Sequence, residues 1–133
     1  MDCLFCKIIS GTIPCYKVYE DESVLAFLDI HPCSKGHTVV IPKEHVETIE
    51  EMNTETFQRI AGGVKAVAER VKAQLKPDAM NIGINNGKAA GQAVPHVHWH
   101  IIPRYVRDGG GSMHSIVRSK EQINVEEVAK LFI

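Results

Sequence analysis

The chain has 133 residues, a formal net charge of -1 and a pI of about 6.6. This balance gives no basic footprint for nucleic acid or an anionic membrane surface, and no apolar run approaches the roughly 20 residues that cross a bilayer. The N-terminus lacks the apolar segment of a signal peptide, so we expect a cytoplasmic protein. The length favours one domain over residues 1–133.

The first third of the chain predicts a short helix followed by three strands. Residues 4–10 are typical of a helical turn that Gly11 and Pro14 end. Residues 15–20 and 24–29 are rich in β-forming side chains and predict a hairpin. Residues 37–41 predict a third strand that stops at Pro42.

The middle of the chain predicts one long helix. Residues 44–52 favour a short helix, and Thr54 is then expected to cap a long one, whose apolar residues recur at helical spacing until Pro77. The adjacent Gly62 and Gly63 either weaken this helix or let another element pack closely against it.

The last third predicts two more strands, over residues 79–85 and 96–102, and an irregular tail from about residue 104. Within that tail, residues 121–132 favour a terminal strand or a short helix. The whole pattern predicts an α+β fold, with a mostly antiparallel five-stranded sheet, one long helix and a short N-terminal helix.

The fifth predicted strand carries three histidines, His96, His98 and His100, which alternate with apolar residues. Since successive side chains of a strand point to opposite faces, the three imidazoles share one face. Ordinary core or surface histidines rarely show this pattern. Either two of them bind one metal ion, or they divide the work of a transfer reaction at phosphorus, in which the middle imidazole attacks. The outer pair, about 13 Å apart along a strand, is too far apart for one ion to use all three.

Two other segments offer binding groups. In the loop over residues 85–95, Gly87 and Gly91 would let backbone N–H groups approach a phosphate, and Asn85 and Gln92 add amide donors. Such loops are most often plain turns, but this one leads directly into the histidines.

Near the N-terminus, Cys3 and Cys6 have the C-x₂-C spacing that suits zinc, with two further ligands to come from among the histidines. The alternatives are two ordinary thiols or a redox pair. Cys15 and Cys33 lack this spacing and are expected to be buried thiols.

The run from His96 to Ile102, followed by Pro103 and Arg104, resembles the signature of the histidine-triad family, in its small bacterial type with a zinc site. The resemblance extends over residues 3–104 and includes the segments 5–9, 13–14, 27–30, 36–42 and 91–92. It implies a nucleotide hydrolase or transferase that releases a nucleoside 5′-monophosphate, AMP or GMP, from a phosphoanhydride or phosphoramidate. It also implies a homodimer.

The resemblance assigns roles to individual residues. His98 would be the nucleophile that forms a nucleotidyl-histidine intermediate, and Asp29 would bind the ribose hydroxyls. His37 would lie behind the active-site residues. The phosphate contacts would come from Asn85, Gln92, Ala93 and His100. The base pocket would be lined by Phe5, Ile8, Ile13, Phe27 and Ile30. A closed, structural Zn²⁺ site would be formed by Cys3, Cys6, His45 and His96.

The chain departs from the family pattern at Ala93, where many relatives have a serine or threonine hydroxyl, and at Pro95, which has no backbone N–H. These departures bear on rate and leaving group rather than on the nucleophile. Two other functions remain open at this point: a hydrolase with a catalytic zinc on the histidine strand, and a nucleotide-binding adaptor without activity.

Overall fold

The computed structural model describes residues 2–133. In chain order the helices and strands are α1 (Leu4–Ile9), β1 (Lys17–Glu20), β2 (Val24–Leu28), β3 (Thr38–Pro42), α2 (Thr54–Leu75), β4 (Ala79–Gly83), β5 (Trp99–Arg104) and α3 (Val125–Ala129). Short 3₁₀ helices cover Ile49–Glu51, Lys88–Ala90, Met113–Ser115 and Lys130–Phe132. The predicted α+β class is confirmed.

The five strands form one antiparallel sheet in the order β1-β2-β3-β5-β4. The β1–β2 hairpin turns at Asp21, whose carboxylate accepts hydrogen bonds from the backbone N–H groups of Ser23 and Val24. Strand β5 lies between β3 and β4, where His100 pairs with Val39 on one side and Gly83 on the other. This places His100 well inside the sheet.

Helix α2 covers one face of the sheet. Buried residues of the helix pack against buried residues of the strands. The helix contributes Ile60, Val67 and Val71, and the strands contribute Val24, Ala26, Val40 and Ile101. Gly63 is the point of closest approach, because a Cβ there would lie 2.8 Å from Cγ1 of Val24. A Cβ at Gly62 would contact nothing within 4 Å. Close packing therefore explains Gly63, and not Gly62.

The predicted cap of this helix is wrong by one residue. Asn53, rather than Thr54, is the N-cap, and its side-chain oxygen accepts the N–H of Thr56 at 2.7 Å. At the other end, Lys76 has a left-handed backbone, with φ of 50° just before Pro77. The helix therefore ends as predicted.

Helix α1 packs on the opposite face of the sheet. Its Phe5 joins a second buried cluster, which also contains Cys3, Leu25, Phe27, Val39 and Ile41. On this same face, His98, His100 and Arg104 extend the surface toward β4. The short N-terminal helix thus closes one end of the surface that carries the histidines.

Several predicted boundaries differ from the structure. Strand β5 begins at Trp99, so His96 and His98 precede it: the backbone N–H of His96 donates to Val94, and that of Val97 donates to Val46. These bonds hold a bent segment that lies outside the sheet ladder. The predicted helix over residues 44–52 is reduced to the 3₁₀ turn Ile49–Glu51, and the fourth strand ends at Gly83.

Some predictions for single residues and for the tail also differ from the structure. Pro42 belongs to β3, as the last residue of the strand, and Cys15 lies before β1. Neither of the two other cysteines is buried as predicted, because Cys33 is exposed and Cys15 is half-buried. After Arg104 the tail contains only short helices, and its residues 125–132 are helical rather than a strand. None of the helices within residues 2–133 combines the length and the hydropathy needed to cross a membrane.

Candidate active site

The His98 side chain is positioned by its own neighbour in the sequence. Its Nδ1 lies 2.8 Å from the backbone carbonyl oxygen of His96. A carbonyl oxygen only accepts, so in the neutral imidazole Nδ1 carries the proton and Nε2 keeps its lone pair. His98 is 6% exposed, and its ring meets that of Phe5 edge-to-face with the ring centroids 5.0 Å apart. Burial lowers the pKa of His98 below its ordinary value, which keeps that lone pair unprotonated at neutral pH.

His100 forms the next part of the site, and its protonation is set by His37. Nε2 of His37 lies 2.9 Å from Nδ1 of His100, and Nδ1 of His37 lies 3.0 Å from the backbone nitrogen of Cys33. The Cys33 N–H is a donor, so Nδ1 of His37 accepts and its Nε2 carries the proton. His37 therefore donates to Nδ1 of His100, and Nε2–H of His100 remains free to donate to a ligand.

Burial keeps this pair neutral. It lowers the pKa of His100 to about 4, with smaller contributions from His98 and His37. Burial also lowers the pKa of His37, against the opposing effect of Asp29. A neutral pair has one proton between the two facing nitrogens, as the hydrogen bond requires.

Asp29 lies at the edge of this group. One carboxylate oxygen accepts the backbone N–H of His31 at 2.8 Å, and the other lies 3.6 Å from Nε2 of His37. The latter distance is too long for a hydrogen bond. The carboxylate is half-buried, so one oxygen can accept further donors.

The loop over residues 85–95 is braced by Gln92. Its side-chain oxygen accepts the N–H of Gly87 at 2.8 Å, and its amide nitrogen donates to the carbonyl oxygens of Glu47 and Val94. Both ends of the amide are thus bonded to main chain. The role of Gln92 as a phosphate contact stays a prediction, and the structure shows it as a brace.

Asn85 and Ala93 have free donors in the same loop. Within residues 2–133, neither the Asn85 side chain nor the Ala93 backbone N–H makes a hydrogen bond to the protein. Asn85 lines a cavity together with His37 and His100. The Asn85 amide is therefore available to a ligand in that cavity, and the contact of Ala93 with a phosphate stays a prediction.

The residues predicted to form the base pocket differ in exposure. Phe5 and Phe27 are buried and meet edge-to-face at 5.6 Å, so much of each ring serves the core. Ile8 and Ile13 are half-buried, whereas Ile30 is 72% exposed. Their contact with a base remains a prediction.

A cluster of thiols and imidazoles lies behind His98. The ligand atoms of Cys3, Cys6, His45 and His96 all lie within 4.8 Å of one another. Nδ1 of His96 is 3.6 Å from Sγ of Cys3, 3.7 Å from Sγ of Cys6 and 3.2 Å from Nδ1 of His45. Sγ of Cys6 lies 3.4 Å from Nδ1 of His45.

These separations fit a tetrahedral zinc ion. With Zn–N near 2.0 Å and Zn–S near 2.3 Å, a tetrahedron has N–N edges of about 3.3 Å and N–S edges of about 3.5 Å. Nε2 of His96 lies 2.8 Å from the carbonyl oxygen of Pro42, which can only accept. Its Nδ1 therefore presents a lone pair to the centre, as is usual for a ligating histidine.

A second group with metal-ligand atoms, Asp29, His37 and His100, does not fit a metal as well. The unprotonated nitrogen of His37 is engaged by the Cys33 N–H, so the nitrogen that faces the group carries the proton. A metal there would require an imidazolate. The group is better described as a chain of hydrogen bonds from the Cys33 amide through His37 to His100. This bonding argues against a catalytic zinc at these histidines.

Sequence reasoning missed the cavity beside His100 and the amide of Cys33. The cavity, about 470 Å³, lies between the β4–β5 face and residues 110–116 of the tail. No periodicity in the tail indicates that contact. The spacing Cys33-x₃-His37 could have suggested a turn, but not the donor that sets the imidazole.

Comparison with known proteins agrees with this geometry. The HIT domain family matches residues 10–107. An uncharacterised HIT-like protein of Methanocaldococcus jannaschii is 52% identical, over 93% of this chain and 92% of that protein. An adenosine 5′-monophosphoramidase of Schizosaccharomyces pombe is 48% identical, over 78% of this chain and 75% of that protein. An adenylylsulfatase of Arabidopsis thaliana is 40% identical, over 94% of this chain and 64% of that protein.

Solved structures show the same fold. A HIT family protein from Bacillus anthracis superposes with a TM-score of 0.85 at 45% identity, covering 98% of this chain and 92% of that one. A Zn-bound histidine triad family protein from Mycobacterium smegmatis superposes with a TM-score of 0.77 at 40% identity, covering 91% and 85%. The chain belongs to the HIT family, whose members among these relatives include nucleotide hydrolases.

Proposed function

We propose that this protein is a nucleotide hydrolase or transferase that releases a nucleoside 5′-monophosphate through a covalent intermediate on Nε2 of His98. The observation that carries the proposal is the hydrogen bond from Nδ1–H of His98 to the His96 carbonyl oxygen, which leaves a lone pair on Nε2. The named activities of the yeast and plant relatives support a phosphoramidate or a mixed anhydride as the substrate.

The first step forms a bond between Nε2 of His98 and phosphorus while the bond to the leaving group breaks, and the leaving group takes up a proton. Nδ1 of His98 keeps its proton, so the ring that carries the nucleotidyl group is cationic. Its Nδ1–H remains hydrogen-bonded to the His96 carbonyl oxygen. In the second step water attacks phosphorus and loses a proton to solvent, the P–N bond breaks and neutral His98 is regenerated. This proton balances the one that the leaving group takes up from solvent in the first step. A cationic ring is a good leaving group for this step.

The other residues bind the substrate. Nε2–H of His100, the Asn85 amide and the Ala93 backbone N–H would donate to phosphate oxygens. Asp29 would accept the ribose hydroxyls, and Phe5, Ile8, Ile13, Phe27 and Ile30 would border the base. His37 positions His100, and Gln92 holds the loop.

We further propose that Cys3, Cys6, His45 and His96 hold a structural Zn²⁺. The tetrahedral spacing of the four ligand atoms supports it, and the Zn-bound relative is consistent with it. Four protein ligands leave no open position, so the ion would stabilise the fold without activating water. It would tie α1 to the segment that carries His98.

We propose a homodimer as the working assembly. Strand β4 is the edge of the sheet, and Ile82, paired with Ile101 on the α2 side, is exposed together with Phe57. The tail also exposes apolar side chains, among them Val125, Leu131 and Phe132. A second copy of the chain is a partner that could cover both surfaces.

The test is release of AMP from adenosine 5′-phosphoramidate, with a panel of adenine and guanine substrates to define the base. His98→Asn should lower turnover by at least about 10³-fold while AMP still binds by calorimetry. His114→Asn is the matched control, because His114 is exposed in the tail. Rapid quenching and mass spectrometry should find one nucleotidyl group on His98.

Undiminished turnover by His98→Asn would refute the mechanism. Tight AMP binding by the parent, with no turnover on any substrate, would favour a nucleotide-binding module instead. The absence of a hydroxyl at Ala93 makes that outcome informative.

A further inference from the structure

The two cysteines at the start of α1 lie close enough to react with each other. Cys3 is the N-cap of α1, and Cys6 belongs to its first turn. Sγ of Cys3 accepts the backbone N–H of Cys6 at 3.5 Å, and the two sulfur atoms lie within 4.8 Å of each other. An S–S bond is about 2 Å long, so rotation of the two side chains within the first turn can close the gap. The same C-x₂-C spacing is used by disulfide oxidoreductases.

The two thiols differ in their access to solvent. Cys3 is 4% exposed, whereas Cys6 is half-buried. Sγ of Cys6 also borders the imidazoles of His45 and His96, at 3.4 and 3.7 Å from their Nδ1 atoms. A small oxidant in solution therefore reaches Cys6 first, and buried Cys3 is left to react with the sulfur of Cys6.

The cysteine pair is connected to the nucleophile by two routes. Phe5 lies between the two cysteines in the chain, and its ring meets those of His96 and His98 edge-to-face, with centroids 5.8 and 5.0 Å apart. His96 faces both sulfur atoms through its imidazole and holds His98 through its carbonyl oxygen. A change in the first turn of α1 therefore reaches His98 through Phe5 and through His96.

From this arrangement we propose that Cys3 and Cys6 are a reversible oxidation site for hydroperoxides, and that the disulfide they form lowers turnover at His98. A disulfide offers no thiolate, so only His45 and His96 of the four proposed ligands would remain for zinc, too few for a structural site. Oxidation therefore releases the ion and frees α1 from the segment that carries His98. The effect on turnover rests on the proposed function and the release of zinc on the proposed metal site, whereas the disulfide rests on neither.

The reaction has two balanced steps. The Cys6 thiolate attacks one oxygen of hydrogen peroxide, the O–O bond breaks, and a sulfenic acid forms on Cys6 while hydroxide leaves. The Cys3 thiolate then attacks the Cys6 sulfur, the S–S bond forms and a second hydroxide leaves. In sum, two thiolates lose two electrons to one peroxide, and two protons from solvent complete two molecules of water. A small dithiol such as dithiothreitol reverses the reaction by exchange.

The test uses a zinc-loaded chain with Cys15→Ala and Cys33→Ser, so that Cys3 and Cys6 are its only cysteines. Treatment with hydrogen peroxide should give a chain that is two hydrogen atoms lighter by mass spectrometry and has no thiol left to alkylate. A chromogenic chelator should record one zinc ion released per disulfide. The kcat for adenosine 5′-phosphoramidate should fall by about tenfold or more, and dithiothreitol with added zinc should restore it.

Cys6→Ser in the same background is the matched control, because it leaves Cys3 as the only thiol and its mass should not fall by two hydrogen atoms. Zinc that stays bound after peroxide treatment would overturn the proposal, as would oxidation of Cys6 beyond the sulfenic acid with no disulfide, or a disulfide form with unchanged kcat.

Two other failures would point elsewhere. A chain that never binds zinc would contradict the metal site, and a reduced chain that turns over no nucleotide would contradict the proposed function. In both cases the mass change still reports on the disulfide, so the failures are distinct.

Discussion

The backbone carbonyl oxygen of His96 accepts Nδ1–H of His98 at 2.8 Å, while the imidazole of the same His96 faces Cys3 and Cys6. One residue therefore contributes its side chain to the proposed metal site and its main chain to the nucleophile. Displacement of His96 would disturb both at once.

Removal of the metal should lower the thermal stability of the protein, because the proposed ion stabilises the fold and does not act on the substrate. The protein as purified should contain one zinc per chain, and a chelator should lower the melting temperature by more than about 5 °C. Cys6→Ser should lose the metal, whereas Cys33→Ser, at an exposed cysteine outside the cluster, should retain it. Metal analysis and calorimetry measure both. Zinc retained in full by Cys6→Ser would rule out the four-ligand site.

The hydrogen bond from His37 should fix the tautomer of His100. In the parent, ¹⁵N spectra should show His100 protonated at Nε2 at neutral pH. His37→Phe removes the donor, so we expect mixed tautomers and a fall in kcat of the order of 10–100-fold. His37→Gln keeps an amide N–H and should recover part of the loss. An unchanged spectrum in His37→Phe would show that His37 does not set the proton.

The free energy of unfolding should decrease as the pH is lowered, because His100 is neutral in the folded protein. Its pKa is lowered from 6.5 to about 4, so the unfolded chain takes up a proton first as the pH falls. The contribution is fully present above pH 6.5 and is lost progressively down to pH 4, with a size of at most about 3 kcal/mol. Urea unfolding should therefore show a steeper decline between pH 6.5 and 4 for the parent than for His100→Gln. Parallel curves would contradict a buried neutral His100.

The two adjacent glycines of α2 should respond in opposite ways to alanine. In Gly63→Ala the new Cβ would lie under 3.0 Å from both methyl groups of buried Val24, so the free energy of unfolding should fall by about 1–3 kcal/mol. Gly62→Ala has open space and should raise it by about 0.5–1 kcal/mol, since alanine favours the helix. Denaturant unfolding of the two variants provides the comparison. Equal effects would mean that helix propensity alone decides both.

The proposed dimer should depend on the β4 edge. Ile82→Lys places a charge on the exposed apolar surface beside α2 and should shift the protein to monomer in sedimentation experiments. Tyr16→Lys is the matched control, because Tyr16 is 70% exposed near the opposite edge of the sheet. A parent that is monomeric at micromolar concentration would refute the assembly.

The sequence was sufficient for the elements whose periodicity is strong. The apolar spacing before Pro77 predicted α2, and the alternation around His98 predicted imidazoles that share a face. It could not show that β5 starts only at Trp99, because the backbone of Val97 bonds to a distant loop at Val46. A hydrogen-bond partner so distant in the sequence leaves no local pattern.

The sequence could name candidate site residues but not their protonation. His98, His100 and the Cys3–Cys6 pair stand out by their spacing, whereas the full set of four proposed metal ligands comes from the family resemblance. Which nitrogen of each imidazole carries a proton depends on carbonyls and amides, such as those of Pro42 and Cys33, that only the fold brings near. Backbone groups have no sequence signature, so these roles required the structure.

The three hydrogen bonds of Gln92 have a consequence for binding affinity. Because they hold residues 85–95 against Glu47 before any ligand arrives, the conformational entropy of this loop is lost during folding rather than during binding. A small phosphate-containing ligand then meets a preorganised surface. Small ligands with few contacts can be bound without the cost of ordering the loop around them.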